Sequence, residues 1–96
     1  MEILNWLQEW YLSNCDDNWE HCYGVSITTL DNPGWSIKIE VIDTELEDKF
    51  FDEVYTQRTD LDWIHCKVKD NVFHGAGGSK NLKEILEIFQ KWVLYK

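Results

Sequence analysis

The stretch VSITTLDNPGWSIKIEV, residues 25–41, decides the fold because it predicts two strands joined by a turn. Apolar and polar side chains alternate from His21 to Leu30 and again from Trp35 to Val41, the period of two that is typical of a strand. Between these runs, Pro33 presets φ at the first corner of a turn, and Gly34 can take the positive φ of a type II turn. The stretch therefore predicts an antiparallel hairpin.

A second hairpin is predicted in the other half of the chain. Apolar and polar side chains alternate from Trp63 to Val68, and a returning strand follows from Val72 to about Ala76. Asp70 and Asn71 can supply the two positive-φ positions of a tight hairpin turn. The register that follows from this turn places Val68 opposite Phe73 and Lys67 opposite His74.

Two helices flank the strands. An apolar stripe at helical spacing runs from Ile3 to Asn14, and a longer stripe runs from Leu82 to about Leu94. Asn81 is predicted to be the N-cap of the second helix, with Glu84 completing a capping box. Between the hairpins, the acidic stretch from Thr44 to Lys49 is predicted to be a loop.

A further strand is predicted from Phe51 to Thr59, so the element order is helix, four or five strands, helix. This order predicts one α+β domain over residues 1–96, with a four- to five-stranded antiparallel sheet and both helices packed on one of its faces. The opposite, open face is expected to be partly wet and to carry Ser26, Thr28, Lys38, Glu40, Trp63, His65, Lys67 and His74.

Composition and charge exclude several classes of protein. Of the 96 residues, 44% are hydrophobic and 14 are aromatic, which is too apolar for a disordered segment. Residues 1–62 hold 15 acids and 3 bases, for −12, whereas residues 63–96 hold 3 acids and 6 bases, for +3. The net charge of −9 argues against binding to nucleic acid or to anionic membranes and favours a basic partner.

The expected location is the cytoplasm. No stretch approaches the ~20 apolar residues of a membrane span, and no signal peptide is recognised. The three cysteines, Cys15, Cys22 and Cys66, are an odd number without the spacing of a disulfide framework, which fits free thiols in a reducing compartment.

Metal and cofactor chemistry are not expected. The pairs His21-Cys22 and His65-Cys66 consist of neighbours that point to opposite faces of a strand, so neither pair can readily chelate zinc. Cys66 is expected on the core face, where a thiol is inert. The glycine run 75–78 matches neither phosphate-binding pattern and is expected to connect a strand to a helix, because glycine tolerates the positive φ of such turns. No catalytic residue is assigned.

The acidic segment is the main candidate for binding a partner. Residues 40–53 hold seven carboxylates and one base, Lys49, and such a run is either a solvated surface or a docking surface. Trp63 and His65 lie on the adjoining open face, and tryptophan is common in interface hot spots. The candidate partner-binding residues are therefore Glu40, Asp43, Glu45, Glu47, Asp48, Asp52, Glu53, Trp63 and His65.

Several stretches between about residue 4 and residue 93 resemble the immunity protein 53 family. They are Leu7-Gln8-Glu9-Trp10-Tyr11, Asp17-Asn18-Trp19-Glu20-His21, Leu30-Asp31-Asn32-Pro33-Gly34-Trp35, Thr44-Glu45-Leu46-Glu47-Asp48, Asp62-Trp63-Ile64-His65-Cys66, Gly75-Ala76-Gly77-Gly78 and Asn81-Leu82-Lys83-Glu84-Ile85-Leu86. The resemblance implies a bacterial cytoplasmic protein that binds and neutralises a cognate polymorphic toxin.

Two other classes of function remain open from the residues alone. One is a general protein-interaction module without a toxin. The other is a small enzyme that uses His65 and His74, which the hairpin register brings to the same face of the sheet. No nucleophile or metal-ligand set accompanies these two histidines in the sequence.

Overall fold

The computed structural model describes residues 2–95, so the two terminal residues of the predicted 1–96 domain lie outside the described range. The described elements, in chain order, are α1 (Ile3–Asn14), α2 (Trp19–Cys22), β1 (Val25–Leu30), β2 (Gly34–Glu40), β3 (Val54–Gln57), β4 (Trp63–Lys69), β5 (Val72–Gly77) and α3 (Leu82–Leu94). The five strands form one antiparallel sheet in the order β1-β2-β5-β4-β3. The predicted α+β class is confirmed.

The core lies between the sheet and the two long helices. Ile37, Ile39 and Phe73 on the sheet are fully buried, as are Ile85 and Phe89 on α3. Aromatic rings extend this core, with the centroids of Phe73 and Phe89 5.1 Å apart in an edge-to-face arrangement. Because one face of the sheet is covered in this way, the other face is left open.

The predicted β4–β5 hairpin is confirmed. Val68 pairs with Phe73 and Lys67 pairs with His74. Asp70 and Asn71 both have positive φ, at 53° and 59°, as a tight two-residue turn requires. This register places Lys67 and His74 together on the open face.

The first strand begins later than predicted. Residues 19–22 form the short helix α2, so β1 starts at Val25 and not at His21. The Asp16 carboxylate accepts hydrogen bonds from the backbone N–H groups of Asn18 and Trp19, which starts a helical turn. Trp19 is then buried, and its indole N–H donates to the carbonyl of Ile42 at 3.0 Å. Tertiary packing of this ring therefore overrides the alternating pattern.

The predicted strand over 51–59 is wrong at both ends, since β3 covers only Val54–Gln57. Before it, Phe51 packs on the core, 5.4 Å from the ring centroid of Trp92. After it, the backbone N–H groups of Arg58 and Thr59 donate to the carbonyl of Asp62, which turns the chain into β4.

Two local expectations are also wrong, and a third is right only in part. No glycine among the described residues has positive φ, so Gly34 is not the corner of a type II turn. The glycine run is more than a connector between a strand and a helix, because β5 continues through Gly77. Gly75 leaves room for Ile85 of α3, since a Cβ atom at position 75 would overlap Cγ2 of Ile85. Asn81 is the N-cap of α3, as predicted, but the bonds of a capping box do not form: the side-chain amide of Asn81 donates to Asp62 and Glu84.

Candidate docking surface

The acidic segment, residues 40–53, is a series of turns fixed to the rest of the fold. Leu46 is buried in the core within it. Lys49 donates from Nζ to the carbonyls of Trp92, at 2.6 Å, and Tyr95 at the end of α3. The indole N–H of Trp92 in turn donates to the carbonyl of Phe50 at 2.9 Å. The carboxylates of this segment are therefore presented on a preformed backbone.

Local hydrogen bonds determine the shape of these turns. Asp43 and Asp48 have positive φ, at 59° and 60°, a conformation that aspartate tolerates. Glu47 accepts a hydrogen bond from the backbone N–H of Asp43 at 2.9 Å. Asn71 of the β4–β5 turn accepts from the backbone N–H of Asp48 and donates to its carboxylate. The acidic segment and the β4–β5 hairpin are thus joined by side chains.

The charges of three of the predicted carboxylates act on one tyrosine. Burial raises the pKa of Tyr23, and the charges of Asp43, Glu40 and Glu47 raise it further, together with that of Cys22. Within residues 2–95, no basic side chain forms an ion pair with Glu40, Asp43 or Glu47. These three carboxylates are therefore a concentrated negative charge, here called the acidic cluster.

Three other predicted residues line a cleft of about 510 Å³ at the β3 side of the open face. Glu53, Trp63 and His65 form part of its wall, and the hydroxyl-bearing ring of Tyr55 stands beside them. The remaining lining residues are Asn32, Gln57 and Asp60. The cleft therefore combines aromatic surface with carboxylates and amides, which is a composition suited to gripping a basic side chain.

The side chains in this cleft are held by one another. His65 Nε2 lies 2.7 Å from Glu53 Oε2, and the ring centroids of His65 and Tyr55 are 5.2 Å apart. The Tyr55 hydroxyl donates to Gln57 Oε1 at 3.0 Å. Tyr55 nevertheless stays 64% exposed, so most of its ring is free to contact a partner.

The predicted residues do not form one continuous site. The acidic cluster lies at the end of β2, whereas the cleft lies at β4 and β3, two to three strand positions across the sheet and several residues farther along the strands. Asp48 lies at the β4–β5 turn, and Glu45 and Asp52 are exposed.

Tyr55 and Tyr23 were not predicted as part of the site. The spacing of Tyr55 and Gln57 could have indicated Tyr55, because residues two apart lie on the same face of a strand. No sequence pattern linked Tyr23 to carboxylates about twenty residues away.

Three observations bear on the chemistry of the histidines and of Cys66. A depression of about 120 Å³ lies between His65 and His74, smaller than most ligand sites. Burial raises the pKa of the Cys66 thiol to about 12, with a further contribution from Glu84, so the thiolate is disfavoured. Among residues 2–95, no three His, Cys, Asp or Glu side chains are grouped as a metal would require.

Comparisons with known proteins identify a family. A family model described as immunity protein 53 matches residues 4–94. Searches of curated proteins and of solved structures found no match. In the described part of the chain, no helix has the length and apolar character needed to cross a bilayer.

Proposed function

Since the chain belongs to the immunity protein 53 family, we propose that it binds a cognate toxin and neutralises it, acting in the cytoplasm of the bacterium that makes the toxin. Family membership implies an immunity protein and suggests a binding role, not an enzymatic one. The toxin is a basic protein domain in this proposal, and a nuclease is the toxin class that fits best. Enzymes that grip phosphates present basic surfaces, which an acidic inhibitor can cover.

The observation that carries the proposal is the anchored acidic cluster. Glu40, Asp43 and Glu47 have no basic partner among the described residues, and the backbone that presents them is fixed by Leu46 and Lys49. Charges that are already in place lose little conformational entropy on binding. They also steer an oppositely charged partner, which raises the association rate at low salt.

The cleft supplies the second element of the proposed docking surface. Tyr55 and Trp63 offer aromatic faces beside Glu53 and Asp60, so an arginine or lysine of the toxin finds both a cation–π partner and a carboxylate there. Aromatic anchors in a cleft are typical hot spots of protein interfaces. In this proposal the acidic cluster steers the toxin and the cleft holds it.

Paired charge neutralisations test the role of the acidic cluster. The variant Asp43→Asn/Glu47→Gln removes two charges but keeps oxygen acceptors for the hydrogen bond between these residues. The control variant, Glu9→Gln/Glu87→Gln, removes the same charge from exposed or half-exposed positions on α1 and α3. Affinity for the cognate toxin domain is measured by calorimetry, and association rates are measured over a series of salt concentrations.

We expect the cluster variant to bind at least about tenfold more weakly and its association rate to depend less on salt. The control is expected to keep nearly all of its affinity. Equal losses in both variants would mean that net charge alone matters, and unchanged binding by the cluster variant would move the interface elsewhere. A chain that fails to bind the toxin at all overturns the proposed function.

A further inference from the structure

The middle of the open face is basic, although the chain as a whole is acidic. The antiparallel register places Lys38 of β2 and Lys67 of β4 on either side of His74 of β5. Lys69 lies two residues farther along β4 and therefore on the same face. The chain has only nine lysines and arginines, and three of them share this surface. Lys38, Lys67, Lys69 and His74 are here called the basic strip.

No carboxylate among the described residues neutralises the strip. Its three lysines are exposed, and the basic side chains that contact a carboxylate within residues 2–95 are Arg58 and His65. The nearest acids by register or sequence are Glu40, Glu53 and Asp70, and Glu53 is already engaged by His65 at 2.7 Å. The three lysines therefore form no ion pair with a carboxylate among the described residues.

This arrangement is unfavourable in the unbound protein. Lys38 and Lys67 both pair with His74, so they lie two strand spacings, roughly 10 Å, apart, and Lys69 lies about 7 Å from Lys67 along β4. Like charges at these separations repel one another. Burial lowers the pKa of His74, and the charges of Lys38, Lys67 and Lys69 lower it further, while Asp70 opposes them. Protonation of His74 within the strip is therefore disfavoured, and a bound anion would reduce the repulsion between the positive charges.

We propose that the basic strip recognises a carboxylate-bearing segment of the toxin. The inference rests on the proposed function and adds to it that the toxin surface is of mixed charge. A nucleic acid is the less favoured occupant, because a net charge of −9 repels a polyanion while a few carboxylates on a basic protein are tolerated. His65 lines both the cleft and the depression beside His74, so the sites for a cation and for an anion adjoin each other.

Neutralising the lysines separates a binding role from a structural one. The variant Lys38→Gln/Lys67→Gln is compared with Lys83→Gln/Lys91→Gln on exposed positions of α3, which removes the same charge from the opposite layer. We expect the strip variant to bind the toxin at least about tenfold more weakly. Its thermal midpoint should equal or exceed that of the unchanged protein, because a repulsion is removed. Affinity equal to that of the control variant overturns the inference.

An experiment without the toxin tests the anion site directly. Sulfate is titrated against chloride at constant ionic strength while NMR follows the His74 ring and the amides of β4 and β5. We expect saturable shifts at the strip that disappear in Lys38→Gln/Lys67→Gln, and shifts that do not saturate overturn the inference.

The failures of the two proposals can be told apart. If the acidic-cluster variant loses affinity for the toxin and the strip variant does not, the strip inference fails and the proposed function stands. If the unchanged protein does not bind the toxin, the proposed function fails whatever sulfate does.

Discussion

The backbone of Gly34 lies so close to that of Gly77 that a Cβ atom at position 34 would overlap the carbonyl oxygen of Gly77. The first residue of β2 thereby packs against the last residue of β5, and the β1–β2 turn with Asn32 is held beside the cleft. Glycine at position 34 is needed for this close approach, not for a positive φ.

Replacing Gly34 by alanine should therefore destabilise the fold. The obstacle is a backbone oxygen, which cannot move without disturbing the pairing of β2 and β5. We expect a loss of about 1–3 kcal/mol in the free energy of unfolding, measured with urea. Gly24→Ala is the matched control, because nothing lies within 4 Å of a Cβ at that position. Equal stabilities of the two variants would contradict the packing argument.

The elements that could be predicted from sequence are those whose signals are local. Alternation over residues 25–41 and the Asp70-Asn71 turn both act over a few residues, and both hairpins form, the second one in the predicted register. Helix α2 depends on a side chain outside itself, since the Asp16 carboxylate holds the backbone N–H of Trp19 at 2.9 Å. The length of β3 is limited by the packing of Phe51 against the core, which no periodicity reveals.

For the candidate site, charge could be predicted but convergence could not. The seven acids of residues 40–53 were evident from composition. That the charges of Glu40, Asp43 and Glu47 all raise the pKa of Tyr23 depends on turns that aspartates at positive φ make possible. That Tyr55 stands beside His65 depends on β3 pairing with β4 at the far edge of the sheet. Such non-local pairing is decided by the whole fold.

Lys49 should stabilise the acidic segment through its bonds to the end of α3. Its Nζ donates to the carbonyls of Trp92 and Tyr95, where a positive charge also complements the helix dipole. We expect Lys49→Met to lower the free energy of unfolding by about 1–2 kcal/mol. Amide hydrogens of residues 43–50 should also exchange faster. Lys91→Met removes the same charge from the last turn of α3 and serves as the control. An equal loss of stability in the control would mean that Lys49 acts only through the helix dipole and not through its hydrogen bonds.

Glu84 should contribute stability that depends on pH. Hydrogen bonds from Arg58 lower the pKa of Glu84, and a hydrogen bond from Asn81 lowers it further, against an opposing effect of burial. A carboxyl whose folded-state pKa is lowered stabilises the fold above its unfolded value, and this contribution is lost as pH falls through the folded-state pKa.

We therefore expect Glu84→Gln to be less stable than the unchanged protein at neutral pH and to converge with it on acidification. The difference should be small, because the Glu84 side chain is 35% exposed and its ion pair is partly screened. Urea unfolding at a series of pH values measures it, with Glu87→Gln as the control. A difference in the free energy of unfolding that grows as the pH falls would contradict the stabilising role of the Glu84 carboxylate.

Cys66 should be unreactive in the folded protein, whereas Cys22 should react. Cys66 is fully buried, and burial raises the pKa of its thiol to about 12, so the nucleophilic thiolate is scarce at neutral and mildly alkaline pH. Cys22 is exposed on the same chain and acts as an internal control. Alkylation with iodoacetamide followed by mass spectrometry of peptides should label Cys22 in the native state and Cys66 only after unfolding in urea. Rapid native labelling of Cys66 would show that this part of the core opens readily, which the packing of α3 over β4 and β5 argues against.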